Sequence, residues 1–328
     1  MASVTTGAIS FYKAIQASDN APSHQSRTEV VVTDSFEEAV AMTMARLYGQ
    51  KPTLTPFRSN NNRVYRAVFP GPLPDRVIKV AGRSDKAAES IRREQAVLAR
   101  LRHSGLDVPQ VEFTQEDAPA WGVAFFTMPL LPGRTLEEAC KEDHVPWAEA
   151  GCVRLGAFVR QISAVNGSDL PLRPHAEQLA FLAQVRAWFD GEALLRPPFS
   201  TILDHAERLL HQPGLVPVHG DFSWGQMVTD GGSFVVIDWE SACLGHPLSM
   251  LGRAIAMMRE YGGTPDHIRW ATAGYAGGRV LSNTESQDLH LWEMWHHVGC
   301  MGWKFVCGPD HRSHAFAMAK RVEQWAQV

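Results

Sequence analysis

Residues 216–251 read VPVHGDFSWGQMVTDGGSFVVIDWESACLGHPLSML. Two short apolar runs, 227–229 and 234–237, flank Asp230, Gly231 and Gly232, a run that suits the left-handed backbone of a tight turn. The pattern predicts a β-hairpin. Asp221 lies ahead of its first strand and Asp238 follows its second, so antiparallel pairing brings both carboxylates to one end, where Gln226 adds a side-chain amide oxygen. That is the donor set phosphoryl transfer asks for. One carboxylate orients an attacking hydroxyl, and hard oxygens hold a divalent cation.

Working outward, the N-terminal side is strand-bearing. Residues 63–69 (RVYRAVF) and 76–81 (RVIKVA) are separated by Pro70, Gly71, Pro72, Pro74 and Asp75, which predicts an antiparallel hairpin. A helix over 35–49, with Asp34 as its cap, repeats Phe36, Val40, Met44 and Leu47 at helical spacing, and a second over 86–101 presents Ile91, Val97, Leu98 and Leu101. Short strands are predicted over 111–113 and 122–128, followed by a Pro/Gly loop and a helix opened by Thr135, with Glu137 and Glu138 in its first turn. Helices are then expected over 147–166, 175–190, 199–212 and most of 247–328, with a break at 307–309. Residues 1–33 are polar and weakly periodic and read as a loosely ordered arm with one short strand over 28–33. The fold class is α+β, with the arm (1–33), a small sheet-bearing part (34–128) and a larger, mainly helical part (129–328).

Composition bounds the function. At 328 residues and 45% apolar content the chain buries a sizeable core as one large domain or two lobes. A net charge of −4 without a basic block argues against a nucleic-acid partner. The five cysteines are odd in number and irregular in spacing, so no disulfide framework is read and a reducing compartment is expected. There is no apolar run of membrane-spanning length and no signal-peptide pattern, which leaves the cytoplasm as the expected location and no membrane partner.

The string His219-Gly220-Asp221, the amide at Gln226 and Asp238-Trp239-Glu240 together resemble the aminoglycoside phosphotransferase family, which includes choline-kinase-like small-molecule kinases and shares the two-lobed fold of protein kinases. Further pieces match in order. Ser59, Asn60 and Asn61, with 62–65 after them, resemble the phosphate-covering loop; Lys79 and Glu94 resemble the phosphate-binding lysine and its acidic partner. Thr127 and Met128 match the hinge whose backbone meets adenine, and Pro132, Gly133 and Leu136 match the family's LPG-x-x-L. The resemblance implies an ATP- and Mg²⁺-dependent transfer to a hydroxyl-bearing small molecule, with Asp221 as catalytic carboxylate, Gln226 and Asp238 as metal ligands, and His219 propping the loop. Four features depart from the pattern. The phosphate-covering loop has Asn60, Asn61 and Asn62 in place of glycines, and Asn tolerates left-handed backbone. Gln226 stands where the family has Asn, one methylene shorter. Gly245-His246-Pro247 stands for Gly-Asp-Pro, and the Asp that usually follows is replaced within 248–251.

Several residues carry a plainer reading beside the functional one. Lys79 interrupts an apolar strand, so it needs a buried partner; Glu94 is the best candidate and Glu89 the rival. His296, His297, Cys300, Cys307, His311 and His314 are zinc-ligand types, but their spacing forms no ligand doublets, and Trp292, Trp295, Met301, Trp303 and Phe305 among them read as a core helix. The acceptor site is expected near Ser223, Trp224, Glu240, Trp292, Glu293 and His296, with Trp224 offering a flat apolar face to a weakly cationic acceptor. Two other readings stay open: a nucleotide- or partner-binding pseudokinase that has lost turnover, and a kinase acting on peptide Ser/Thr with the 1–33 arm as a docking segment.

Overall fold

The computed structural model describes residues 35–57, 62–82, 84–142, 145–191, 196–306, 319 and 322–323. The expected arm and strand over 1–33, the cap Asp34, the loop residues Ser59, Asn60 and Asn61, the break at 307–309 and the side chains of Cys307, His311 and His314 lie outside these residues. The described chain divides into two compact units. One takes in residues 35–99 and 109–131, the other 100–108 and the chain from 132 onward.

The first unit is built on a four-stranded antiparallel sheet in the order β1 (Thr53–Phe57), β2 (Arg63–Val68), β3 (Arg76–Val80), β4 (Phe125–Pro129). Helix α1 (Ser35–Tyr48) covers it, with Val40 and Met44 fully buried beside Tyr65, Ala67, Ile78, Val80 and Phe125. These are the helical-period positions of α1 meeting the alternate positions of the strands. Helix α2 (Asp85–His103) buries the expected Ile91, Val97, Leu98 and Leu101.

Three local differences from expectation have physical reasons. Strand β1 is absent from the sequence reading because Pro56 argues against a strand; at the end of the sheet, paired only with β2, a proline is tolerated. Strand β4 begins at Phe125 rather than 122, because a 3-10 turn at Pro119–Trp121 and Gly122 in left-handed conformation precede it. Residues 112–114 form no strand of their own, yet Glu112 and Phe113 exchange backbone hydrogen bonds with Thr127 (2.9 and 2.8 Å).

The second unit is mainly helical. Its helices are α3 (Leu136–Lys141), α4 (Val145–Ile162), α5 (His175–Gly191), α6 (Phe199–Leu210), α7 (Ser249–Glu260), α8 (Pro265–Ala276) and α9 (Asn283–Val306). Thr135 caps α3 as expected, its hydroxyl accepting the Glu138 amide while Glu138 reaches back to the Thr135 amide. Helices α4 and α8 pack backbone to backbone: a Cβ on Gly156 would fall 1.8 Å from the Ala271 carbonyl oxygen. Helix α9 packs against α5, α6 and α7, and Trp292, Met294, Val298, Cys300 and Met301 are buried along it. Of the expected core positions Trp292 and Met301 are buried and Trp295 is half-buried, and the side chains of Trp303 and Phe305 lie outside the described residues.

Five short strands in two sheets carry the chemistry-bearing loops. β5 (Arg134–Thr135) pairs with β7 (Met227–Thr229), and β7 with β8 (Phe234–Val236), the hairpin of the opening stretch. Its turn is tied by Asp230, whose Oδ1 accepts the amides of Gly232 and Ser233 at 2.9 and 2.8 Å. β6 (Val216–Val218) pairs with β9 (Cys243–Gly245); at three residues each they are too short to show a period. No helix among the described residues is long and apolar enough to cross a membrane.

Candidate active site

In the sheet-bearing unit, Val77, Ile78, Lys79 and Val80 of β3 are all buried. A cation there needs a charge partner, and the Lys79 ammonium lies 2.7 Å from the Glu94 carboxylate, with both side chains at most 7% exposed. Glu89, the rival, is exposed and faces Arg93 at 3.9 Å. Both backbone groups of Thr127 are taken by Glu112 and Phe113, and its hydroxyl contacts the Tyr48 hydroxyl at 2.8 Å and accepts the Phe113 amide at 3.1 Å. The Thr127 amide is thus engaged, and its carbonyl keeps one further lone pair. Met128 is half-buried, opposite Val77 in the β3–β4 register.

In the helical unit, His219 organises the loop that follows β6. Its ring is fully buried 4.6 Å from the Trp239 ring. Nε2 donates to the Ile237 carbonyl at 2.8 Å, and Nδ1 accepts the Asp221 amide at 3.3 Å, which fixes the Nε2–H tautomer. The Ile237 amide in turn donates to the Gln226 carbonyl at 2.9 Å. The residue ahead of Asp238 is thus clamped from both sides by the segment that carries Asp221 and Gln226. Gly220 sits at φ 79°, and a Cβ there would meet the Ser241 carbonyl oxygen at 2.1 Å. Asp238 itself is left-handed (φ 68°, ψ 55°), the one non-glycine residue at positive φ among the described residues. Backbone held in that region concentrates at functional sites.

The departures from the family pattern in the helical unit find local substitutes. The Met250 thioether, within the 248–251 stretch where the family's Asp is replaced, accepts the His219 amide at 3.4 Å. His246 accepts the Leu248 amide through Nδ1 at 3.3 Å, caps its turn as a carboxylate would, and stacks on Trp292. Gln226 takes the Ser223 hydroxyl on its amide oxygen.

Asp221 is held by a residue that sequence reasoning missed. Arg253, on α7, donates one guanidinium nitrogen to Asp221 Oδ1 and another to His296 Nδ1 at 3.0 Å. Burial pushes the Asp221 carboxyl up to about 7; Arg253 opposes that rise, while the nearby Asp238 and Glu240 carboxylates add to it. Burial and the Arg253 charge hold His296 well below the ordinary imidazole range, so it is neutral and accepts. The available signal was a lone cation in the apolar run of α7, MLGRAIAMM, where charge demands a partner.

Ser223, Trp224, Trp292, Glu293 and His296 are all buried, and Glu240 is half-buried. Trp224 has no exposed surface and meets His267 edge-on, so it offers no face to an acceptor. Its place directly after Ser223, which caps a 3-10 turn over Trp224–Gln226, turns the ring inward. Glu293 is tied to Arg259 at 2.5 Å. Of the zinc-type residues, His296 and His297 lie with Glu260 such that their ligand atoms fall within 4.8 Å of one another; the Nδ1 of His296 is already engaged by Arg253, and its Nε2 faces Cys300 Sγ at 3.6 Å.

The model of the phosphotransferase enzyme family matches residues 53–282. The chain belongs to this family. The match to this phosphotransferase takes in Lys79, Glu94, Asp221, Gln226, Asp238 and Arg253. Solved structures show its fold to be the protein-kinase-like α+β fold. A choline/ethanolamine kinase family protein from Mesorhizobium loti aligns with a TM-score of 0.64 at 17% identity, covering 89% of this chain and 95% of its own. The amicoumacin kinase hAmiN, in complex with AMP-PNP, Ca²⁺ and Ami, aligns with a TM-score of 0.59 at 17% identity, over 86% and 92%. The GDP and kanamycin complex of APH(2")-IIia aligns with a TM-score of 0.64 at 16% identity, over 88% and 98%. No curated protein matches the chain.

Proposed function

We propose that this phosphotransferase moves the γ-phosphoryl group of ATP to a hydroxyl group of a small molecule. The observation that carries the reading is the His219 clamp. It joins the Asp221 loop to the residue before Asp238 through two hydrogen bonds, with Asp238 in left-handed backbone. Asp221 orients the acceptor hydroxyl and receives its proton. Lys79, steadied by Glu94, binds the α- and β-phosphates, and Ser59, Asn60 and Asn61 cover them. Residues 34–128 serve the nucleotide, with Met128 near the adenine edge, and residues 129–328 carry the catalytic loop and the acceptor.

Gln226 and Asp238 fit a hard divalent cation. Both offer oxygen, and the Gln226 amide oxygen, which takes one hydrogen bond from Ser223, has a second lone pair for a metal. Mg²⁺ held there supplies charge neutralisation on the phosphates. The AMP-PNP bound to the amicoumacin kinase supports ATP use and the GDP of the APH(2")-IIia complex supports nucleotide binding, and the names amicoumacin kinase and kanamycin complex support a small-molecule acceptor. Two carboxylates near this site have cationic partners: Arg253 partly neutralises Asp221, and Arg259 pairs with Glu293. That favours an acceptor with little positive charge, since a polycation is drawn to uncompensated carboxylates.

The reading is tested by a hydroxyl-bearing library screened for ADP release with ATP and Mg²⁺. At least one acceptor is expected to raise ADP release in the wild type and leave Asp221→Asn at background. Equal release by both proteins would overturn it.

A further inference from the structure

Arg253 is a buried arginine with two polar partners on different elements. One guanidinium nitrogen meets Asp221 on the loop after β6; the other meets the neutral His296 on α9. His296 is itself 3.6 Å from Cys300 Sγ through Nε2, so with Nδ1 accepting from Arg253 its ring proton points toward sulfur. The planar guanidinium fork suits this two-handed geometry, because its donors lie in one plane at fixed angles. The Arg253 contact reaches Oδ1 of Asp221, and Oδ2 makes no hydrogen bond among the described residues. One oxygen is anchored, and the other is left for a proton.

We propose that Arg253 is the positioning residue for Asp221: held from behind by His296, it fixes the carboxylate rotamer so that Oδ2 faces the incoming nucleophile. The proposal rests on the assignment of Asp221 as the catalytic carboxylate. Without Arg253 the carboxylate turns among its rotamers and spends only part of its time in the productive one, so the maximal rate falls while nucleotide binding, which involves other residues, is unaffected. Arg253 acts only through Asp221, so its removal has no further effect once Asp221 has lost its carboxylate; groups that work as one unit are non-additive in this way.

The test is a double-mutant cycle on the full chain, read as release of inorganic phosphate from [γ-³²P]ATP with Mg²⁺ and water as the acceptor. Arg253→Met is expected to lower kcat about 10-fold or more with KM for ATP unchanged, in line with loss of one part of a positioned base. Arg253→Met in the Asp221→Asn background is expected to leave the residual rate where Asp221→Asn alone puts it. Arg253→Lys, which keeps the charge but cannot bridge two partners with a planar fork, is expected to restore less than half of the loss. It also serves where the methionine variant fails to fold. His296→Leu is expected to lower kcat in the same direction by a smaller factor. A wild-type kcat in both Arg253 variants, or the same fold-loss with and without the Asp221 carboxylate, would overturn the positioning role while leaving Asp221 as assigned. Wild-type hydrolysis by Asp221→Asn would instead overturn the assignment of Asp221, and the positioning role with it.

Discussion

At the scale of single residues, two ionisable sites make opposite demands. Lys79 and Glu94 neutralise each other across 2.7 Å inside the sheet-bearing unit. Removing one charge strands the other where water cannot reach it. Glu94→Gln is therefore expected to lower unfolding stability by about 3 kcal/mol, measured by urea titration, whereas the charge-free pair Lys79→Met with Glu94→Leu recovers most of that loss. Asp221 has little compensation: burial outweighs Arg253 and its carboxyl rises from the ordinary value to about 7. In the folded, metal-free protein it binds a proton that the unfolded chain has already released, so its contribution to stability is present below about pH 4 and is lost as pH rises through about 7. The stability of the wild type relative to Asp221→Asn should decline between those limits by up to about 1.4 kcal/mol per pH unit and level off above. Urea midpoints of both proteins in EDTA across that range check the sign. A difference that is flat with pH would show an ordinary carboxyl. Lys79 was legible in the sequence as a charge in an apolar strand. Arg253 is likewise a charge in an apolar run, but its partners lie on elements far away in the chain and carry no spacing signature.

At the scale of elements, the hairpin of β7 and β8 was legible because Asp-Gly-Gly turn chemistry and two apolar runs agree. The capping box at Thr135 was legible for the same reason, local side chains meeting local backbone. Thr135→Ala is expected to remove about 1 kcal/mol through α3, read as a lower urea midpoint with an unchanged slope. At the adenine edge, a motif match at Thr127 says nothing about the second segment, 112–113, that bonds its backbone groups. Trp224 is fully buried, and an aromatic residue beside a catalytic loop looks the same in sequence whether its ring faces solvent or core. Strands β6 and β9, which hold the two chemistry-bearing segments side by side, are only three residues each and pair across a long stretch of chain. Their existence follows from tertiary pairing and not from any local period.

At the scale of the whole molecule, family and fold were legible from a handful of ordered residues, because each motif sits on an element whose own pattern agrees with it. The acceptor was not legible, since the side chains nearest the motif are committed to packing and to internal ion pairs. Nucleotide binding is expected to stabilise the folded chain by mass action. ATP with Mg²⁺ should raise the thermal midpoint by several degrees, EDTA should abolish most of that gain, and Lys79→Met should reduce it. A midpoint indifferent to ATP would count against nucleotide binding.

The most direct measurement of the central claim is kcat/KM for phosphoryl transfer to the best hydroxyl acceptor, compared between the wild type and Asp221→Asn, with the product examined by ³¹P NMR. The expected result is a phosphate monoester on the acceptor and a rate at least about 10²-fold lower in the variant, the usual contribution of a positioned base. A variant that transfers phosphate at the wild-type rate would contradict it.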